Sequence, residues 1–367
     1  MEEPFDLEQF LVDVFDPVAG EVAAVLVDVP TQGSPDRKDW AERRLMADEW
    51  RSGLEWLGRR RGFEVLPLVH YPATGGHGRD FPVDAEMGGA RIPLASVLDR
   101  ASLVLALTEF SPTAALVDVC KRRPGADVFR AASCPGILKR MEHSALAADY
   151  REVAKRCRLL KEAFLTAERG EVEFSTGHRC LFDLRHRVSE TDDGYLHRDK
   201  SDDVPVINLP SGETFQVPYE GEKPDDPSWT AGELPIGEAG ETVVLRVEAN
   251  RIVEVIGSGP AASRYRHAFE EDPARGNIAE LAFGCNERAI VTGNVLEDEK
   301  AGFHWAYGRS DHLGGVVGVA DFKGPDTVVH QDIVYAHGNP IGIARADLVA
   351  ADGHRTTVIR DGEYVLW

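Results

Sequence analysis

Glu21-Val22-Ala23-Ala24-Val25-Leu26-Val27-Asp28-Val29 is a short apolar run, rich in valine and of the right length for a buried strand. Behind it, Arg37 to Arg61 carries Trp40, Leu45, Met46, Trp50, Leu54 and Leu57 at helical spacing among charges. Phe63 to His70 and Ser102 to Leu107 repeat the strand signal. Pro93 to Asp99 and Thr113 to Cys120 repeat the helical one. Strands alternating with helices predict an open α/β layer. Lys139 to Glu168 reads as one long bridging helix, with Leu146, Tyr150, Val153, Cys157, Leu160 and Phe164 on one face.

After Gly170 the texture changes to short strands: Val172 to Thr176, Cys180 to Arg187, Thr242 to Glu248, and Arg251 to Ile256 around an Ala249-Asn250 turn. Ala261 to Glu271 is the clear helix of this half, and Lys223 to Gly240, rich in Gly, Asp and Pro, reads as a long loop. The fold class expected is α/β. Residues 1–168 form an N-terminal open α/β domain with the bridging helix, and 169–367 a mixed, strand-rich α+β metal-binding catalytic domain. A chain of 367 residues is too long for one average core.

Composition narrows the partners. The formal net charge of -21 argues against nucleic acid and anionic membranes, since both need a basic face. Five cysteines without a C-x-x-C pair read as reduced thiols. Met1-Glu2-Glu3-Pro4 lacks the basic and apolar regions of a signal peptide, and there is no run of eighteen apolar residues. The expectation is a cytoplasmic protein.

The chemistry concentrates in the second half, where acidic and imidazole groups stand inside strand-like segments. Glu280 lies between Ala279 and Leu281, and His304 between Phe303 and Trp305. His330-Gln331-Asp332 puts two ligand-type groups on one strand face, because side chains alternate with period two. Glu213 follows Ser211-Gly212, where a turn is expected. A carboxylate in a core needs a compensating charge, and a divalent metal supplies one. Other readings compete at each position. Glu280 has Arg288 or Arg275 available, His304 reads equally as a core histidine on a backbone carbonyl, and Glu213 as a solvated turn residue. Asp298 and Glu299 either orient His304 or face solvent. Gly257-Ser258-Gly259-Pro260 reads as a helix-entry turn, lacking the rest of a phosphate loop. His178, His186 and His197 show no ligand spacing.

The order NLPSGETF (208–215), AELAFGCN (279–286), LEDEKAGFHWAYG (296–308) and HQD (330–332) resembles the thermophilic-type aminopeptidases, the M29 family of metallopeptidases. The resemblance is clearest from Asn208 to Asp332. It implies an N-terminal α/β domain, a catalytic domain with two divalent ions (Zn, Co or Mn), a homodimer, and short peptides as substrates. It places metal-binding residues at Glu213, Glu280, His304, His330 and Asp332, with Glu280 or Glu213 also taking the proton of the attacking water. Where the family has a ligand-type tyrosine, seven residues after the strand histidine, this chain has Asp311; either Asp311 or His312 stands in as a ligand, or the second metal is weaker or absent. A more distant likeness, to 2,5-dihydroxypyridine dioxygenases, implies a single Fe(II) on His304, His330 and Asp332. A non-catalytic binding protein with a degenerate site is the third reading.

Overall fold

The structure is a computed structural model describing residues 5–123, 129–198, 205–336 and 338–367. The fold is mixed α/β, and it divides into two compact units. One comprises Met1–Ala154, Asp192–Gly212 and Asn286–Glu297. The other comprises Lys155–Thr191, Glu213–Cys285 and Asp298–Trp367.

The first unit is built on a largely parallel sheet. Its order is Val206–Asn208, Arg130–Pro135, Leu103–Thr108, Val22–Val29 and Val69–Pro72, continued by the antiparallel edge strands Asp84–Met87 and Ala90–Pro93. The central strand is continuously apolar because both faces are covered. Val25 and Val27 meet Trp50, Leu54 and Leu57 of the helix Lys38–Arg61 in one core. Ala24 and Leu26 meet Val97, Leu98 and Leu116 in the other. Phe63 to His70, expected as one strand, is two, Glu64–Val65 and Val69–Pro72. Pro67 stands between them and has no N–H to give to a ladder. The helix Lys38–Arg61 ends at Gly62 in the left-handed region (φ 82°), where a side chain would be strained.

The expected helix over Lys139 to Glu168 is shorter and broken. Two 3₁₀ turns, Lys139–His143 and Ala145–Ala147, precede an α-helix over Tyr150–Leu165. Asp149 Oδ1 accepts from the amides of Arg151 and Glu152 (3.0 and 3.4 Å), so the helix starts afresh at that residue.

The second unit holds two antiparallel sheets. The larger runs Arg251–Ile256, Glu241–Glu248, Ala231–Glu238, Arg179–Asp183, Ala167–Phe174, Ile343–Ala350, Arg355–Arg360, Glu363–Tyr364. The expected loop from Lys223 to Gly240 is therefore cut short: Ala231–Glu238 is a strand, paired with Glu241–Glu248. Ala239 and Gly240 (φ 50° and 80°) make the two-residue turn, and Ala249 and Asn250 (φ 45° and 67°) make the next one where the sequence placed it. The helix Pro260–Glu271 begins at Gly259, and Glu241 Oε2 accepts from the Ala261 amide at 3.1 Å. That carboxylate fills the place a phosphate would need, so the glycine pair is a helix-entry turn.

The smaller sheet runs Glu190–Asp192, Glu213–Gln216, Ile278–Gly284, Gly302–Gly308, His330–Ala336. Its apolar face presents Leu281, Phe283, Phe303 and Tyr335. Phe164 packs on Phe283, and Phe174 of the larger sheet on Phe303 and Tyr335, with ring centroids 5.1 to 6.4 Å apart. Each such ring contributes about 1.5–3 kcal/mol by burial, and together they fix which way the sheet faces. Its other face carries the polar groups.

Candidate metal centre

Register brings the ligand-type residues together. Glu280 is opposite Ala306 and Ala306 opposite Asp332; Gly308 is opposite His330, Ala282 opposite His304, and Gly284 opposite Glu213. With alternation along each strand, Glu213, Glu280, His304, His330 and Asp332 share one face. Ala282, Gly284, Ala306 and Gly308 are the small residues between them. Phe303, Trp305 and Tyr307 point the other way, and Tyr307 packs against Tyr265 and Phe269.

The groups form two clusters. Among the described residues, Glu213, Glu280 and His304 make one set with ligand atoms mutually within 4.8 Å, and Glu280, His330 and Asp332 make the other. Glu280 belongs to both. Its Oε1 lies 3.9 Å from His304 Nε2, and its Oε2 lies 3.1 Å from His330 Nε2. Glu213 Oε2 is 3.4 Å from His304 Nε2, and Asp332 Oδ1 is 3.5 Å from His330 Nε2. Donors around a tetrahedral ion with bonds of 2.0–2.1 Å stand about 3.3 Å apart, close to this spacing.

Both imidazoles are held the same way. His304 Nδ1 faces the Gly302 carbonyl oxygen at 3.2 Å, and His330 Nδ1 the Arg309 carbonyl oxygen at 2.7 Å. A carbonyl oxygen can only accept, so each ring donates from Nδ1 and keeps Nε2 for the carboxylates. Two carboxylate oxygens in this cluster, Glu213 Oε2 and Asp332 Oδ1, are buried without a hydrogen-bond partner. Each meets only an imidazole Nε2, at 3.4 and 3.5 Å, and an ion at either cluster would give these oxygens the close partner they lack. The donor set of imidazole nitrogens and carboxylate oxygens suits a divalent transition metal.

The electrostatics of the metal-free cluster follow from crowding. Burial pushes the Glu280 carboxyl up, against the opposing pull of His330 and His304. Burial alone would lower His304, but Glu213 and Glu280 outweigh it and raise the ring to about 9. His330 is raised well above the imidazole range, Asp332 and Glu280 overcoming burial. Burial would raise Glu213, but Lys300 and His304 bring it down to about 2.

Several expectations meet a different partner. Neither Arg275 nor Arg288 serves Glu280; Arg275 donates to the Thr327 carbonyl oxygen (2.9 Å) and to Glu271 (2.6 Å). Glu213 opens a strand and is 7% exposed, so it is no solvated turn residue. Glu299 reaches Lys300 at 2.7 Å rather than His304, whose Nδ1 partner is main chain. Asp311 pairs with Arg309, and neither it nor His312 joins either cluster, although the His312 ring lies edge-on to His330 at 4.9 Å. His178, His186 and His197 bond Thr176, Asp226 and the Asp13 carbonyl. Sequence reasoning missed Lys300, which is fully buried with its ammonium on Glu213 and Glu299. Its signal was its place in Asp298-Glu299-Lys300, directly before the ligand strand.

No protein-family model and no curated protein matches the sequence. Several solved structures share the fold, two of them as follows. The 2,5-dihydroxypyridine dioxygenase of Pseudomonas putida KT2440 aligns over 98% of this chain and 96% of its own, with a TM-score of 0.61 at 18% identity. AmpT of Thermus thermophilus aligns over 98% of both chains, with a TM-score of 0.55 at 15% identity. At these identities the likeness carries the fold alone. Among the described residues, no helix is long and apolar enough to cross a membrane.

Proposed function

We propose that this chain is a metal-dependent aminopeptidase that releases N-terminal residues from short peptides, as a cytoplasmic homodimer. The observation that carries the proposal is the shared carboxylate. Glu280 belongs to both ligand clusters, with one oxygen facing His304 and the other facing His330, an arrangement suited to two neighbouring ions. The ligand order's resemblance to M29 enzymes supports the same reading; the fold, shared with both AmpT and the dioxygenase, favours neither activity.

Divalent ions bound there would make a bound water acidic enough to attack at neutral pH and would polarise the scissile carbonyl. The protein's own contribution is to hold the donors. Glu213, Glu280 and His304 would hold one ion, and Glu280, His330 and Asp332 the other. The Gly302 and Arg309 carbonyls fix the two imidazole rings. Both oxygens of Glu280 are committed to the clusters, so a shared ligand describes it better than the proton acceptor expected from the sequence. Glu213 stands likewise, with Oε1 on Lys300 and Oε2 toward His304.

The competing iron reading needs His304, His330 and Asp332 around one ion, but the two imidazoles address different oxygens of Glu280. Elemental analysis of protein purified without chelator, with assays on aminoacyl anilides and on dihydroxypyridine, tests the proposal. About two zinc, cobalt or manganese ions per chain with anilide hydrolysis is the expected result, with one ion and the hydrolysis lost in His330→Ala. One iron with oxygen-dependent ring consumption would replace it with the dioxygenase reading. No metal after reloading would favour a binding protein.

A further inference from the structure

Lys300 lies in the turn Glu299–Ala301 that leads into the strand Gly302–Gly308, and its side chain has 0% exposure. Its Nζ is 2.5 Å from Glu213 Oε1 and 2.7 Å from Glu299 Oε1. The second oxygen of Glu213, Oε2, is buried without a hydrogen-bond partner, 3.4 Å from His304 Nε2. The two oxygens of one carboxylate are chemically equal until something distinguishes them, and here an ammonium takes one.

The backbone is shaped to bring the ammonium there. Gly284 stands opposite Glu213 in the ladder. A Cβ on Gly284 would come within 2.3 Å of the Glu299 carbonyl oxygen and 2.6 Å of the Lys300 carbonyl carbon. The absent side chain lets the turn lie against the strand end, and from there the lysine stem reaches Glu213.

We infer that Lys300 is a positioning residue: by holding Glu213 Oε1 it leaves Oε2 as the one atom this carboxylate offers beside His304. The inference rests on the metal reading above and deepens it, because the number of oxygens Glu213 contributes sets the coordination number at that end of the site. A one-oxygen Glu213 leaves room for water, whereas a two-oxygen Glu213 fills the place. Arginine at this position keeps the cation and the contact; methionine keeps the volume and removes both.

Cobalt-loaded protein tests this by its visible absorption, which reads coordination geometry and not turnover. Lys300→Met is expected to keep cobalt while its molar absorption falls about twofold or more, as Glu213 turns to two-oxygen binding and the coordination number rises. Lys300→Arg is expected to retain the wild-type spectrum. A folded Lys300→Met protein with unchanged spectrum and cobalt affinity would overturn the inference and leave the metal reading standing. Cobalt uptake absent from the wild type would overturn both. Should Lys300→Met not fold, a crystal structure of the cobalt-loaded wild type decides. Glu213 bound through Oε2 with Lys300 still on Oε1 supports the inference; both oxygens on the metal, or Lys300 turned away, overturns it.

Discussion

His304 and His330 each spend Nδ1–H on a main-chain carbonyl, so Nε2 is the nitrogen left to face the carboxylates or an ion. In the metal-free protein His304 is raised to about 9 by its carboxylate neighbours. The sign is that of a cation with a partner. Its stabilising contribution is fully present below the ordinary imidazole value of 6.5 and is lost as pH rises through about 9. An ion bound at neutral pH must displace that proton. Zinc added to weakly buffered metal-free protein near neutral pH is therefore expected to release at least about one proton per chain, and apparent affinity to rise about tenfold per pH unit for each proton displaced. Uptake without acidification would contradict the charge state described for this cluster. Part of this scale was legible in the sequence: Glu280 and His304 stand between apolar neighbours, and the order of all five groups, more than any one of them, pointed to a shared site. Lys300 was not, because a lysine after the acidic run Glu297-Asp298-Glu299 and before Ala301 looks the same whether it faces solvent or threads inward.

At the scale of elements, the site depends on small residues as much as on ligands. Ala306 sits between Glu280 and Asp332 in the row across three strands and is fully buried. Leucine there would fill the ligand face, and Ala306→Leu is expected to abolish metal uptake at a folding cost of about 1–3 kcal/mol. Tyr307→Phe, on the opposite face, is expected to leave uptake unchanged. Elemental analysis with urea unfolding checks both, and normal metal content in Ala306→Leu would refute the packing described. The H-x-D spacing shows from sequence that His330 and Asp332 share a face, but the register that sets Ala306 between carboxylates is a tertiary fact. The same limit explains the misread segments. Composition made Lys223 to Gly240 a loop although Ala231–Glu238 finds a partner strand across a two-residue turn. Helical spacing over Lys139 to Glu168 concealed the fresh start at Asp149.

Across the whole molecule, the net charge of -21 sets a background of self-repulsion. Salt screens it over about 10 Å at 0.1 M. Raising the ionic strength is therefore expected to raise Tm by a few degrees, followed by circular dichroism in a non-binding salt; a fall would show that attractive pairs dominate. Within the first unit the fully buried Arg130–Glu21 pair (2.8 Å), whose Arg130 also donates to the Phe15 and Leu196 carbonyls, is the charge contact with most at stake. Glu21→Gln is expected to cost about 3–5 kcal/mol in denaturant unfolding, and a loss under 1 kcal/mol would mean that the pair is hydrated. The alternating strands and helices of this unit were readable from sequence. That Val206–Asn208 joins the same sheet was not, since three residues carry no period to read. The central claim is that one carboxylate serves two ions, and metal stoichiometry in Glu280→Gln beside Glu213→Gln and Asp332→Asn tests it most directly. Loss of both ions in the first and of one in each of the others is the expected result. Retention of one tightly bound ion in Glu280→Gln would show the clusters to be independent and contradict the account.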